Sequence, residues 1–384
     1  MAGKTVVVLG GGVGGLVTAN ELRQRLGPEH RVVLVDREGV HVFWPSLLWL
    51  QVGLRESDKM VRDLAALQKK GIEVIKGQVE VIDPARRAVQ VNGARLEADY
   101  LVVSLGAQLA PEQVPGLPQA GHNLYTLDGA TAIRDTRKGL TAGALVVLVA
   151  RTPFKCPAAP YEAAMLLDHD LRKRKAREQV SVALYSPEPG PMGVAGPEVS
   201  AAVRHLLQER DIAYHPQHQL TGVDPGTKTL RFSNNAEARY DLLVYVPPHV
   251  APTVVREAGL VGESGWVPVD RHTMETKYPG VYAIGDVTGI PLSMGLPLPK
   301  AGVFAHHEGE AVAKSIAAQV LGGGEPGSFD GHGECFIEVG GGRAGLGRGN
   351  FYAEPRPAVK LYKPGRHWHA AKMLFEKEWF RRWF

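Results

Sequence analysis

The strongest constraint on this chain lies near its start. There Gly10-x-Gly12-x-x-Gly15 separates a β-branched apolar run, Thr5–Leu9, from residues 16–26, whose apolar positions recur at helical spacing. A strand that turns into a helix through glycines at this spacing opens a parallel βαβ unit. Gly10, Gly12, Gly14 and Gly15 allow the tight turn, let backbone N–H groups approach a pyrophosphate, and let helix pack on strand. Residues 31–35 read as the second strand and close on Asp36, 21 residues beyond Gly15, where a carboxylate accepts a ribose 2′-OH hydrogen bond. Strand, helix and acid together indicate dinucleotide binding. The acid disfavours a 2′-phosphate, so the ligand is NAD or FAD rather than NADP.

Further along, short strands are expected at 72–74 and 79–82, a hairpin pair at 88–91 and 96–98, and a buried strand at 100–104. A proline-rich stretch, 111–118, then leads into a second α/β unit, with strands at 144–150, 180–185 and 241–246 and helices at 158–174 and 197–210. Residues 280–284 and a helix at 302–320 return to the style of the first unit. After Leu321 come glycine-rich loops around a strand at 335–339, and a helix from about Trp368. The expected class is α/β with two Rossmann-like domains: a first domain in two parts, 1–110 and 271–320, a second domain inserted at 111–270, and a C-terminal domain at 321–384.

Composition narrows the partners. The 44 Lys and Arg against 40 Asp and Glu give +4, but residues 356–384 hold eight basic and two acidic residues, so the rest carries about −2. A basic patch confined to the tail is no nucleic-acid footprint; it points to one surface with an anionic partner. The longest apolar run, 144–150, is far short of the ~20 residues that span a bilayer, and residues 1–5 show no signal-peptide pattern, so a cytoplasmic-side location is expected. Cys156 and Cys335 are the two cysteines, too few for a disulfide scaffold or a four-cysteine metal site, and no metal is expected.

Three segments resemble two-domain FAD-dependent disulfide and quinone oxidoreductases: the opening fingerprint, Leu101-Val-Val-Ser-Leu-Gly106, and Tyr278-Pro-Gly-Val-Tyr-Ala-Ile-Gly285-Asp286. The resemblance implies FAD, with Asp286 at the ribityl–phosphate region and the helix from Gly302 aimed at the isoalloxazine. NADH-using members repeat the glycine fingerprint after the strand matching 144–150. Here residues 150–160 contain no glycine and three prolines, which blocks close backbone approach and removes N–H donors. The acid expected after 180–185 is also missing at Ser186-Pro187, so the electron donor is not expected to be NADH.

In that place stands Lys155-Cys156-Pro-x-x-Pro160-Tyr161-Glu162, which closely resembles the cysteine segment of sulfide:quinone oxidoreductases and flavocytochrome c sulfide dehydrogenases. A cysteine at a helix N-terminus beside a lysine is expected to have a lowered thiol pKa. Glu162 either exchanges protons with sulfide or merely compensates the helix dipole. Cys335, in Gly333-Glu-Cys-Phe-Ile-Glu-Val-Gly340, resembles the family's later cysteine, and the two form the expected redox pair. His41-Val-Phe-Trp-Pro-Ser46 and Pro299-Lys300-Ala-Gly302 also match family elements near the flavin, with Lys300 at its pyrimidine end. Many members carry a third cysteine and a histidine where Tyr125 and Gly129 stand here, and 36–53 lacks the cysteine of a covalent flavin, so FAD is expected to be non-covalent.

In the tail, Trp368, Phe375, Trp379 and Trp383 fall on one arc at 100° per residue, interrupted by Lys372 and Glu376. An amphipathic, aromatic, basic terminal helix reads as a bilayer-interface element; docking on its own domain or a second subunit is the alternative.

The resemblance implies FAD-dependent oxidation of sulfide to sulfur or polysulfide at Cys156 and Cys335, with electrons passed to a membrane quinone near Tyr352 and Phe375. Three other readings stay open: a type II NADH:quinone oxidoreductase, a sulfur-compound flavoprotein dehydrogenase with a soluble acceptor, and a non-catalytic flavin redox sensor. A homo-oligomer is left open.

Overall fold

Thr5–Leu9 lies at the centre of a five-stranded parallel sheet, ordered Val281–Ala283, Tyr100–Val103, Thr5–Leu9, Arg31–Asp36, Glu73–Lys76. The computed structural model describes residues 3–384; Met1 and Ala2, where the reading of a leaderless start begins, lie outside the described residues. The inner strands are almost wholly apolar because both faces are covered. The helices Val13–Arg25 and Gly302–Leu321 pack on one face. On the other lies an antiparallel sheet of Val79–Asp83, Ala88–Val91 and Ala94–Glu97.

The second unit repeats this plan. His122–Asn123, Leu242–Val246, Gly143–Val149, Val180–Tyr185 and Ala213–His215 form another all-parallel sheet. Ala159–Lys173 and Pro197–Gln208 cover one face, and a three-stranded antiparallel sheet from Leu220 to Arg239 covers the other. The chain leaves the first unit at Gln108–Leu109 and returns at His249–Val250, the two segments pairing antiparallel. Val255, Leu260 and Val267 already belong to the core of the first sheet, so the return comes ahead of the boundary expected at 270.

The C-terminal region consists of three antiparallel strands, His332–Gly340, Arg343–Asn350 and Ala358–Gly365, followed by the helix Arg366–Trp383. Ile337 and Val339 of its first strand join the core beneath Ala159–Lys173, which carries Cys335 across to the second unit. Among the described residues, no helix is long and apolar enough to cross a membrane.

The aromatic arc of the last helix turns inward, which corrects its reading as a lipid-facing stripe. Trp379 and Trp383 are 4% and 1% exposed, packed into the core of the first unit. Lys372 and Glu376, which broke the arc in sequence, are buried with them. Phe375 and Leu374 remain exposed, at 41% and 65%. The docking is specific as well as apolar. The Trp379 Nε1–H donates to His41 Nε2 at 2.9 Å, and His41 Nδ1 bonds the Gly11 carbonyl at 2.9 Å. Together these require a neutral ring protonated on Nδ1. Burial lowers the His41 pKa to about 4, against the pull of the Gly11 carbonyl and Asp36. The last helix is thereby tied to the glycine turn itself. Replacing Trp379 with Phe keeps a ring in the core but leaves His41 Nε2 without its donor. Equilibrium urea unfolding of that variant is expected to show a loss of roughly 1–3 kcal/mol. His41 has a folded pKa below its unfolded value, so its contribution to wild-type stability is intact above pH 6.5 and drains away as the pH falls toward about 4.

Candidate active site

The glycine turn is packed against itself except where a ligand would approach. Gly10 has φ +98°, and a Cβ on it would lie 2.3 Å from the Ser104 carbonyl oxygen. A Cβ on Gly15 would lie 1.8 Å from the Gly10 oxygen, and one on Gly14 2.8 Å from Ser104 Oγ. At Gly12 it would meet nothing within 4 Å. The following helix has no side-chain cap, so its first N–H groups are left for an anion. Asp36 accepts N–H bonds from Gly11, Glu38 and Gly39 at 2.8, 3.0 and 2.9 Å, which hold its carboxylate at the rim of the turn. Gly106 and Gly285, both with positive φ, end the two strands on this edge of the sheet. Gly302 starts the second uncapped helix, its Cβ direction 3.5 Å from Val13. These residues fit FAD: Gly12 and the helix start would hold the pyrophosphate and Asp36 the ribose.

Lys300 is no solvated loop charge. It is 6% exposed, its Nζ donates to the carbonyls of Asp286 and Thr288 at 2.8 Å each, and it sits 3.3 Å above the Trp266 ring. Burial lowers its pKa to about 8. The ammonium pins the Asp286 loop, a role the sequence does not announce. Burial raises the Asp286 carboxyl, although Lys155 and Lys300 pull it down. Behind the loop Glu308 accepts the Gly285 N–H at 2.6 Å, and burial pushes its pKa up to about 7.

Cys156 and Cys335, 179 positions apart in the chain, are brought to neighbouring places: Cys335 acts more strongly on the Cys156 thiol than any other group does, and the Cys335 thiol donates to the Phe336 carbonyl at 3.4 Å. Both are free thiols. Cys156 adopts φ +49°, a left-handed conformation that costs a side-chain-bearing residue energy and recurs at functional sites. Its N–H is held by the Lys300 carbonyl at 2.6 Å. The Tyr125 hydroxyl donates to the carbonyls of Lys155 at 2.6 Å and Cys156 at 3.2 Å. Tyr125, noticed in sequence only as a departure from the family, is thus a clamp on the thiol loop.

The expected low thiol pKa is corrected. The pKa of Cys156 lies well above the ordinary value, first because of the Cys335 hydrogen bond and then because of burial. The helix proper begins at Ala159, so the thiol is not on its first turn. The Lys155 ammonium is placed over the rings of Trp44 and Tyr125, 4.7 and 5.6 Å away.

Glu162 enters a buried ionic cluster whose other members the sequence did not reveal. Its Oε2 accepts the Glu338 N–H at 2.7 Å and lies 3.4 Å from Lys372 Nζ. Lys372 Nζ is also 3.9 Å from Glu338, whose carboxylate bonds His369 Nδ1 at 3.0 Å. Burial raises Glu162, more than Lys372 and the Glu338 amide lower it. Lys372 loses from burial but ends above its usual value, because Glu162 and Glu338 both face it. One ammonium shared by two carboxylates explains how both shifts run upward. The signal that could have found Lys372 is a charged residue interrupting an apolar arc.

The two residues expected at a quinone site are not brought together. Tyr352 is core: its hydroxyl donates to the Arg271 carbonyl at 2.7 Å and its ring packs on Phe329. Phe375 instead packs against Phe43, at 5.6 Å, and against Phe336, at 6.4 Å, the neighbour of Cys335.

Residues 4–309 match the family model for pyridine nucleotide-disulphide oxidoreductases, and the chain belongs to that family. It is a flavoprotein oxidoreductase with FAD as its cofactor. Within the family it is similar to the sulfide-quinone reductase of Aquifex aeolicus, 28% identical over 97% of this chain and 90% of that one. The X-ray structure of that organism's sulfide:quinone oxidoreductase superposes with a TM-score of 0.89 at 27% identity, covering 99% of this chain and 91% of the other. The mitochondrial sulfide:quinone oxidoreductase of Mus musculus is 28% identical over 75% of this chain, which spans 66% of the mouse protein's length. An NDH2 of Plasmodium falciparum solved with NADH shares the fold, with a TM-score of 0.74 at 12% identity over 97% of this chain and 94% of that one.

Two outcomes follow from the site. Glu308 holds its proton to a higher pH when folded than when unfolded, so stability falls as the pH rises from 4.5 to about 7. Glu308→Gln is expected to abolish that slope, worth up to about 3 kcal/mol, in denaturant titrations across this range. Tyr125→Phe keeps the ring but releases the thiol-loop carbonyls; its sulfide-dependent flavin reduction is expected to slow roughly tenfold or more in stopped flow while the FAD content is unchanged.

Proposed function

We propose that this protein oxidises sulfide at the Cys156–Cys335 pair and passes the two electrons through FAD to a quinone drawn from a bilayer. The observation that carries the reading is the approach of Cys335 to Cys156, two half-buried thiols distant in the chain, beside the buried Glu162. The likeness to sulfide:quinone oxidoreductases over nearly the whole chain supports it.

In the resting oxidised state the two cysteines are joined by a disulfide. HS⁻ attacks the Cys156 sulfur: an S–S bond forms, the Cys156–Cys335 bond breaks, and Cys335 leaves as thiolate. The proton of the incoming sulfide goes to Glu162, whose burial makes it a better base than an exposed carboxylate. Cys156 then carries a persulfide. When that outer sulfur bonds to Cys335, closing a trisulfide, two electrons are released. Bound FAD supplies the two-electron carrier between sulfur and quinone. A further HS⁻ removes the bridging sulfur as polysulfide and resets the pair. Lys372, close enough to both thiols to favour their anions, stabilises the thiolate leaving group. Phe375, exposed and one strand residue away from Cys335 through Phe336, offers the apolar contact for the quinone ring. The exposed edge of the last helix at Leu374 and Phe375 lies on the bilayer surface.

Anaerobic titration tests this directly. Sulfide is expected to bleach the flavin absorbance, and a quinone analogue to restore it. Cys156→Ala and Cys335→Ala are each expected to lose sulfide-dependent quinone reduction by on the order of 10³-fold. Retention of the wild-type rate by either variant, or faster bleaching by NADH than by sulfide, would overturn the proposal.

A further inference from the structure

Beside the last helix is a cavity of ≈ 260 Å³ lined by Arg55, Lys59, Arg62, Glu376, Lys377 and Phe380. That is several times the ~30 Å³ of a liquid water, ample for a phosphate group. Its charges are unequally employed. Glu376, on the floor, is satisfied by Arg55 at 2.8 Å and by the Ser46 hydroxyl at 2.6 Å. Arg55 is thereby spent, its guanidinium also stacked 4.5 Å over Trp49. Lys59 has an exposed partner, Asp58, at 3.1 Å. Among the described residues, Arg62 and Lys377 pair with no carboxylate; the Arg62 guanidinium donates to the Val61 carbonyl at 2.7 Å and sits 4.1 Å from the Phe380 ring centre. Four cations against Asp58 and Glu376 leave the cavity at +2.

Beyond the lining, two side chains close in sequence to it are apolar and exposed. Leu54, next to Arg55, is 53% exposed, and Leu374, one helical turn before Lys377, is 65% exposed. Cations flanked by outward-pointing aliphatic side chains suit an interface at which phosphates lie level with the protein surface and acyl chains begin just beyond.

We propose that this cavity binds the anionic headgroup of a phospholipid, with Arg62 and Lys377 on the phosphate and Leu54 and Leu374 in the acyl region. A free phosphate would be recognised by the same cations but would leave the two leucines without an occupant, which is why the lipid is the occupant named. The inference rests on the proposed docking of the last helix on a bilayer and goes further, assigning the lipid class and the residues that select it. Fixing a headgroup beside Phe375 would set the orientation in which that proposed quinone contact meets the membrane.

The test is co-sedimentation of the FAD-loaded protein with vesicles of phosphatidylcholine alone or of phosphatidylcholine with phosphatidylglycerol. Wild type is expected to favour the anionic vesicles, and excess inorganic phosphate to leave most of that preference intact. Arg62→Gln/Lys377→Gln is expected to lose roughly thirtyfold in partitioning onto the anionic vesicles. Its binding to phosphatidylcholine and its reduction of a water-soluble quinone analogue should be unchanged. If that variant fails to hold FAD, Lys59→Gln/Lys377→Gln, altering only exposed side chains, takes its place. Equal wild-type binding to both vesicles, an unaffected double variant, or full competition by phosphate would each overturn the headgroup site. Failure of the membrane reading itself looks different: neither vesicle type would bind.

Discussion

The position of Lys372 between Glu162 and Glu338 is the interaction on which the arrangement of this molecule turns. The three side chains are almost completely buried and come from three different places: the first turns of the helix Ala159–Lys173, the strand bearing Cys335, and the last helix. Removing such charges from water costs several kcal/mol each, recovered only when every partner is in place. Any arrangement that displaces the last helix leaves two carboxylates facing each other in an apolar interior. The cluster therefore favours one docking of the tail, and with it one approach of the Cys335 strand to Cys156.

The same helix is coupled to the cofactor end through His41. The bond from Trp379 to His41 and from His41 to Gly11 joins the tail to the turn that would hold the pyrophosphate. One element thus touches the dinucleotide turn, the neighbourhood of the thiols and, through Leu374 and Phe375, the outer surface. A reaction that moves electrons from a buried sulfur through a flavin to an apolar acceptor needs those three places in fixed register, because each transfer depends on contact.

Much of the fold was legible in the residues. The glycine turn, Asp36, the apolar runs that became parallel strands and the hairpin after residue 88 all follow from local rules. Glycine spacing and side-chain periodicity report conformations decided within a few residues. The candidate site was legible in part. Cys156 and Cys335 stood out through their flanking segments, but the tail arc was read outward because periodicity identifies an apolar face without saying what covers it. Tyr352 and Phe375 were paired as aromatics near one end of the chain, yet one is core and the other surface.

The sequence by itself determined the class of the protein: two dinucleotide-type units, a cofactor turn complete with its acid, a second unit without such a turn, and two cysteines. Only the tertiary structure decided that the two cysteines become neighbours, that the Cys156 pKa runs upward rather than down, that Tyr125 clamps the Cys156 loop, and that Lys372 is an internal ammonium. The reason is physical. Desolvation and charge–charge interaction depend on which groups become neighbours across hundreds of residues, and that is a property of packing that no local pattern encodes.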